Sequence, residues 1–253
     1  MEAVAELAER ALAWRRAQVE AVCDVLEPWQ HGRVARASRY PGYYDFNALV
    51  VERPTGMDAR ALAAVADKHL AGLGHRRIEL EVEGETQRLA EGFRRLGWRT
   101  YRLVSLRFAG ELPSPGEVAV VEVRYDAVNG LRRAWHEEDF PCTDTSYIDD
   151  AREVSLRRGA RVVAALAKGA PIGFAQVEVA DDGIEIEDVY VSPDHRGRGV
   201  GGSITTAALR WAAAEGPRDI WIVAGADGRP RHLYERLGFV PVRWWSEFLL
   251  VLD

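Results

Sequence analysis

The spacing of apolar residues changes along the chain, and each change marks a predicted element. Residues 2–28 carry apolar side chains near a helical period with charged residues between them, and Pro28 ends that pattern. Shorter runs rich in β-branched and aromatic residues predict strands. In the first half, strands are predicted at 32–39, 44–52, 77–82 and 98–108, and helices at 58–73 and 85–96. From residue 44 to residue 108, strands and helices therefore alternate.

The second half has a similar alternation. Strands are predicted at 117–124, 161–167, 171–179, 184–191 and 220–224, and a last strand is predicted after Gly238. Helices are predicted at 125–138, up to Arg158, from Ser203 to Gly216 and around Tyr234. The turn Lys168-Gly169-Ala170 predicts a hairpin, and the strand at 184–191 completes a meander.

Two stretches of the chain resemble each other. GFRRLGWRTYRLVSLRF at 92–108 parallels LYERLGFVPVRWWSEFL at 233–249, so that Phe93 corresponds to Tyr234 and Gly97 to Gly238. A segment with two prolines and two glycines, residues 109–116, stands between the copies. The repeat predicts two domains, at residues 1–110 and 117–253.

A glycine- and arginine-rich loop follows the strand at 184–191. Ser192 and Pro193 end the strand, residues 195–202 read HRGRGVGG, and a helical pattern follows. Glycines allow the backbone to approach a ligand closely, and the free N–H groups of a helix start favour an anion. The loop therefore predicts a phosphate site.

The loop fits more than one phosphate motif. Gly197, Gly199 and Gly202 satisfy the dinucleotide pattern G-x-G-x-x-G, and Asp227 follows a later strand. Several residues separate the strand from the first glycine, however, and too little chain follows for further βα units. A Walker loop is excluded because no Gly-Lys-Ser/Thr is present. The dinucleotide interpretation stays open at this point.

Arg196, Gly199 and Gly201 also fill the pattern Arg-x-x-Gly-x-Gly, which resembles motif A of the GNAT acyltransferase superfamily. The segment from Ile220 to Val242, with Tyr234 in its short helix, resembles the family's motif B. The resemblance implies an α/β (α+β) fold of two tandem GNAT-like domains, each a mixed, mostly antiparallel sheet flanked by helices. It implies acetyl-CoA as acyl donor, bound through Val189, Tyr190, Val191, Arg196, Gly197, Arg198, Gly199, Val200, Gly201, Gly202 and Asp227.

The resemblance also implies two catalytic residues. Glu187 stands where similar proteins often carry a glutamate, and either it or an ordered water takes the proton of the attacking amine. Tyr234 stands where members carry a tyrosine that protonates the leaving thiolate. The first copy has Phe46 and Phe93 at these two positions. The N-terminal domain is therefore predicted to be a degenerate copy, and only the C-terminal domain to be active.

Composition narrows the function further. A net charge of −6 gives no indication of a basic surface that would bind nucleic acid. Cys23 and Cys142 are the only two cysteines in the sequence, which argues against a disulfide framework and a zinc site. No apolar run reaches the length of a membrane span, and the acidic start is not typical of a signal peptide. A cytoplasmic protein is predicted, and a homodimer is left open.

These observations predict an acetyl-CoA-dependent N-acetyltransferase without a metal, acting on a primary amine of a small molecule or a peptide. The aromatic and acidic residues 135–140 are candidates for contacts to that acceptor. Two alternatives stay open: an oxidoreductase that binds NAD or FAD, and a non-catalytic acyl-CoA-binding protein. A donor with a longer acyl chain is also compatible with the motifs.

Overall fold

A computed structural model describes residues 2–140 and 145–252. The described residues form seven α-helices: α1 (Glu2–Val22), α2 (Ala59–His69), α3 (Thr86–Arg95), α4 (Asn129–Asp139), α5 (Ser146–Arg157), α6 (Val200–Ala214) and α7 (Arg229–Arg236). They also form eleven strands: β1 (Val25–Trp29), β2 (Gly32–Arg36), β3 (Asn47–Val51), β4 (His75–Leu80), β5 (Arg99–Phe108), β6 (Val120–Val123), β7 (Arg161–Ala167), β8 (Ala170–Ala180), β9 (Gly183–Val191), β10 (Ile220–Gly225) and β11 (Phe239–Val251).

The first element differs from the sequence prediction. The helix ends at Val22, and the residues predicted as its last turn form β1, which pairs with β2 in antiparallel register from Val25↔Arg36 to Trp29↔Gly32. Pro28 is compatible with this strand because β1 is the outermost strand of the sheet order, where a missing N–H interrupts no ladder. The proline therefore marks an edge strand instead of a helix end.

The chain divides into two compact units. Unit 1 comprises residues up to Val104, Gly225–Asp227 and the residues from Arg243 onward, and unit 2 comprises Ser105–Ala224 and Gly228–Val242. The predicted domains at 1–110 and 117–253 stay a prediction. No helix among the described residues has both the length and the apolar character of a membrane span.

In unit 1, the strands lie in the order β1-β2-β3-β4-β11. All neighbours are antiparallel except β3 and β4, which are parallel. One face of this sheet packs on α2 and α3 through an apolar core, in which the rings of Phe93 and Phe248 stack at 4.3 Å.

The other face of that sheet carries buried ion pairs. Arg15 of α1 donates hydrogen bonds to Glu79 at 2.6 Å and to Glu247 at 3.1 Å, and Arg77 donates a hydrogen bond to Glu247 at 2.6 Å. Burial alone would raise the pKa of Glu79, but Arg15 and then Arg77 lower it to about 2. Paired charges thus contribute to the contact between α1 and the sheet, in addition to buried apolar residues of α1 such as Ala11 and Trp14.

In unit 2, the strands lie in the order β5-β10-β9-β8-β7-β6. The pairs from β6 to β9 are antiparallel, and β9 and β10 are parallel. The buried face of α6 covers this sheet with Ile204, Ala208, Leu209 and Ala212. The strands and helix that carry the glycine loop are therefore firmly packed.

Both copies of the predicted repeat have the same succession of elements. Strands β3, β4 and β5 alternate with α2 and α3, and strands β9, β10 and β11 alternate with α6 and α7. Gly97 and Gly238, which correspond in the repeat, both follow a helix with positive φ, at 83° and 95°. Such φ values favour glycine in a turn after a helix. The tandem interpretation itself stays a prediction.

Candidate active site

Strands β9 and β10 separate in the middle of unit 2. Their parallel register joins Ile184, Glu185 and Ile186 to residues 220–222 and stops there, although β9 continues to Val191 and β10 to Gly225. The last part of β9 keeps its partner β8 on its other side. Among residues 2–140 and 145–252, no strand pairs with this edge of β9 beyond Ile186, and we call it the open edge.

A bulge lies at the point of separation. The β8–β9 register shifts between Phe174 and Gln176, and Asp188 has a φ of 53°, a value that few residues other than glycine adopt. The Asp188 carboxylate accepts a hydrogen bond from Arg132 of α4. The Arg132 guanidinium lies over the ring of Phe174 at 4.6 Å. An ion pair from α4 therefore stabilises the bend.

The open edge carries the backbone groups of Val189 and Val191. The N–H of Ser192 donates to Ile172 of β8, so strand alternation directs the N–H and C=O of Val191 away from β8. The backbone N–H and C=O of Tyr190 point the other way, towards β8, where Tyr190 pairs with Phe174. The Tyr190 ring is buried in the apolar core, and its hydroxyl donates to Glu138 at 2.5 Å. Of the three predicted residues on β9, Val189 and Val191 face the opening.

The predicted phosphate loop leads into the first turn of α6. Gly197 and Gly199 have φ values of 75° and 77°, and a Cβ built on either would meet no atom within 4 Å. Gly199 is the N-cap of α6, and no side chain caps that turn. The first N–H groups of a helix have no partner inside the helix. The α6 start is thus open, with the partial positive charge that favours an anion.

Helix α2, which corresponds to α6 in the repeat, begins differently. Its N-cap residue Asp58 accepts the N–H of Ala61 at 2.8 Å. A carboxylate of the protein therefore already occupies the place where an external anion would bind.

We expect Asp58→Ala to lower the free energy of unfolding by about 1 kcal/mol, because the capping acceptor is lost. Asp67→Ala, on the same helix, removes an exposed ion pair with Arg76 and is expected to cost less. Urea denaturation of both variants measures the difference. Equal losses would contradict the capping role.

Arg196 contributes to the protein's own packing. Its Nε donates to the carbonyl of Val191 at 2.8 Å, and its Nη2 donates to Glu138 at 2.8 Å. The hydrogen bond from Tyr190 and then that from Arg196 lower the pKa of Glu138. Arg198 is exposed in the loop. The contacts of Arg196 connect the loop to α4, and the backbone amides remain as the groups directed at a ligand.

Residues 135–140, the candidates for contacts to the acceptor, lie at the end of α4 and directly after it. Trp135 stacks on Tyr190 at 5.6 Å, and the Glu138 carboxylate is engaged by Tyr190 and Arg196. His136 is buried and stacks on Tyr147 at 5.3 Å. Residues 141–144, which include Cys142, lie outside the described part of the chain. Trp135 and His136 thus pack against other rings of the protein, and Glu138 is exposed.

Tyr234 lies on α7 and is buried. Among residues 2–140 and 145–252, no group forms a hydrogen bond with its hydroxyl, and burial raises its pKa. The preceding residue, Leu233, lies by the loop, since a Cβ built on Gly201 would be 3.8 Å from Leu233 and 3.6 Å from Val191. The end of β9, the start of α6 and the middle of α7 therefore meet around Gly201.

Glu187 lies on β9, directly before the bulge, and is partly buried. Burial, and then the neighbouring carboxylates Glu178 and Glu185, raise its pKa well above the ordinary range. A carboxylate with a raised pKa is a stronger base than an exposed one. This property suits a general base that accepts a proton near neutral pH.

Asp227 belongs to unit 1. It is exposed and lines an open cavity of about 630 Å³, together with residues that include Arg102 and Trp244. Its assignment to a coenzyme stays a prediction, as do the roles of the other site residues.

Three polar residues near Glu187 were not predicted as part of the site. Arg132, Gln176 and Glu178 are all buried in unit 2. A signal for two of them was present, because Gln176 and Glu178 share a face with Phe174 in an otherwise apolar strand. A polar pair on a buried face indicates a polar network or a functional site.

Part of the chain is similar in sequence to known proteins. Residues 125–239 match the acetyltransferase (GNAT) family. A streptothricin acetyltransferase of Streptomyces lavendulae is 32% identical over 103 residues, covering 40% of this chain and 54% of that protein. A mycothiol acetyltransferase of Saccharopolyspora erythraea is 31% identical over 161 residues, covering 58% and 50%. The chain spans about half the length of these curated relatives.

Solved structures support the fold. A functionally unknown conserved protein from Staphylococcus epidermidis superposes with a TM-score of 0.68 over 91% of this chain and 95% of that chain, at 16% identity. A GCN5-related N-acetyltransferase from Kribbella flavida gives 0.56 over 94% of both chains, at 18% identity. The predicted mixed α/β fold with a mostly antiparallel sheet is therefore confirmed.

Proposed function

We propose that this chain, whose residues 125–239 match the acetyltransferase (GNAT) family, is a member of that family and transfers an acetyl group from acetyl-CoA to a primary amine. One observation carries the proposal: an uncapped helix start, with Gly197 and Gly199 at positive φ, adjoins the open edge of β9. The first element suits a diphosphate. The second offers backbone groups to an extended arm, as a neighbouring strand would.

The residues fit a direct transfer. Acetyl-CoA supplies the activated acetyl group as a thioester. Glu187 accepts a proton from the amine, and the N–H of Val191 on the open edge donates to the carbonyl oxygen as it gains negative charge. Tyr234 donates a proton to the departing sulfur. A C–N bond forms and a C–S bond breaks, so an ammonium ion and a thioester give an amide, a thiol and one proton.

The acceptor is proposed only as a class. Two relatives are named for the acetylation of streptothricin and mycothiol, which suggests a small molecule here too. Carboxyl groups surround Glu187, since Glu178, Glu185 and Asp188 all act on its charge. An excess of negative charge favours a cationic amine. The homodimer and the cytoplasmic location stay predictions.

A thiol-release assay with acetyl-CoA and a panel of primary amines tests the proposal. We expect saturable, amine-dependent release of the CoA thiol, and faster release with acetyl-CoA than with longer acyl donors. Binding of acetyl-CoA without release for any amine would instead indicate a non-catalytic acyl-CoA-binding protein. Thermal stabilisation by NAD but not by CoA would support the dinucleotide alternative and contradict ours.

A further inference from the structure

A polar network lies beneath Glu187 and centres on Gln176 of β8. The Arg132 guanidinium donates to Gln176 Oε1 at 2.9 Å, which fixes the orientation of the amide. The amide nitrogen therefore points to the opposite side, where Ser155 Oγ lies at 3.1 Å, Glu178 Oε1 at 2.9 Å and Glu187 Oε2 at 3.5 Å.

This amide cannot satisfy all three neighbours. It has two N–H groups, and the two shorter distances are those to Glu178 and Ser155. A separation of 3.5 Å to Glu187 is the longest of the three and a weak contact at best. Glu187 thus receives little stabilisation of its anionic form from Gln176, whereas Glu178 receives more.

The charges around Glu187 do not balance. Glu178 lies on β8, Glu185 and Asp188 lie on β9, Arg158 follows α5, and Tyr125 precedes α4. Arg158 pairs with Glu178 at 2.7 Å, and Arg132 pairs with Asp188. These two pairs leave the charge of Glu187 in excess when every carboxyl group is ionised. Excess charge in a partly desolvated place is costly, and a bound proton relieves it.

We propose that Glu178 is a positioning residue for Glu187, and that the two carboxyl groups hold one proton between them until a cationic amine replaces it. The inference rests on the proposed acetyl transfer and specifies its acceptor as an ammonium ion. When the ammonium group enters, the shared proton leaves to solvent. Glu187 is then ionised beside the amine, and it accepts the N–H proton that must be lost before attack on the thioester.

Glu178→Gln keeps the shape of the side chain and removes its charge. In the thiol-release assay with the best amine of the panel, we expect the acid limb of the kcat/KM profile to move to lower pH. The reason is that the neighbouring negative charge no longer holds a proton on Glu187. The KM for acetyl-CoA is expected to be unchanged, and the plateau rate to fall about two- to tenfold because the base is weaker.

Thermal stability against pH tests the shared proton without any activity. A folded-state pKa above its unfolded value gives stability at low pH that is lost as pH rises through the folded pKa. The melting temperature of Glu178→Gln relative to wild type should therefore rise with pH. Glu187→Gln removes the other carboxyl group of the pair, and its melting temperature relative to wild type should also rise with pH. Glu122→Gln, which removes an exposed partner of Arg161 with a lowered pKa, should give a constant difference from neutral to alkaline pH.

The outcomes separate the two proposals. Stability differences that do not change with pH for both Glu178→Gln and Glu187→Gln would overturn the shared proton, whatever the activity. An unchanged acid limb in a well-folded Glu178→Gln would overturn the positioning role. Absence of thiol release with every amine would instead overturn the proposed function, and the pH dependence of stability would still test the carboxyl pair by itself.

Discussion

Gly199→Val is expected to abolish saturable binding of acetyl-CoA by the full chain. Gly199 has a φ of 77° and caps the open start of α6, and the space beside it contains no protein atom within 4 Å of a built Cβ. A valine side chain would occupy the space that a diphosphate needs and would strain the backbone by about 1–2 kcal/mol. Isothermal titration with acetyl-CoA measures the loss.

Gly159→Val is the matched control, because Gly159 has a φ of 70° and equally open surroundings after α5. It imposes similar strain and is expected to leave affinity intact. Gly201→Val tests obstruction of the site without backbone strain.

A Cβ at residue 201 would make only ordinary van der Waals contacts with Val191 and Leu233, and Gly201 does not have a positive φ. Loss of acetyl-CoA binding in Gly201→Val would therefore result from obstruction of the site by the valine side chain. Unchanged affinity in Gly199→Val and Gly201→Val would contradict the loop assignment.

Tyr234→Phe is expected to lower kcat about 100-fold or more, with little change in the KM for acetyl-CoA. A positioned general acid commonly contributes about 10²–10⁴-fold. Burial raises the pKa of Tyr234, so its hydroxyl stays protonated at neutral pH and can donate. Packing should survive, because the first copy has a buried phenylalanine, Phe93, at the corresponding position. Steady-state thiol release measures the effect.

Tyr40→Phe is a suitable control for this variant. Tyr40 is as buried as Tyr234, at 5% against 4% exposed, and it lies in unit 1. Its substitution should leave kcat unchanged. If Tyr234→Phe had wild-type turnover while remaining folded, Tyr234 would be a packing residue, and the thiolate would have to take its proton from water.

The sequence predicts the glycine loop well because its features are local. A glycine loop followed by a helix can be read from a short run of neighbouring residues. The helix was predicted from Ser203, and α6 begins three residues earlier, at Val200, directly after Gly197 and Gly199 with positive φ. The order of strands and helices can also be predicted from the sequence, because each stretch with a regular spacing of apolar residues indicates one strand or one helix. The predicted first helix extends to residue 28, whereas α1 ends at Val22. A proline can end a helix, and it can equally well lie in an edge strand.

Contacts between distant segments could not be predicted in the same way. The positive φ of Asp188 depends on a bulge and on Arg132, which lies far away in the sequence. Arg196 matches a ligand-binding motif, but its partner Glu138 is visible only in three dimensions. Sequence spacing carries no information on such pairs, because it describes neighbours along one element and not across a sheet.

Strand β11 has a consequence for dissecting the protein. Its residues from Ser246 to Val251 pair with β4, so they complete the sheet of unit 1 from the far end of the sequence. A fragment limited to residues 1–110 would leave the inner side of β4 as a bare row of N–H and C=O groups. Such a row recruits other strands. The fragment should therefore self-associate when expressed alone, and a peptide of residues 243–252 supplied in trans should keep it dispersed.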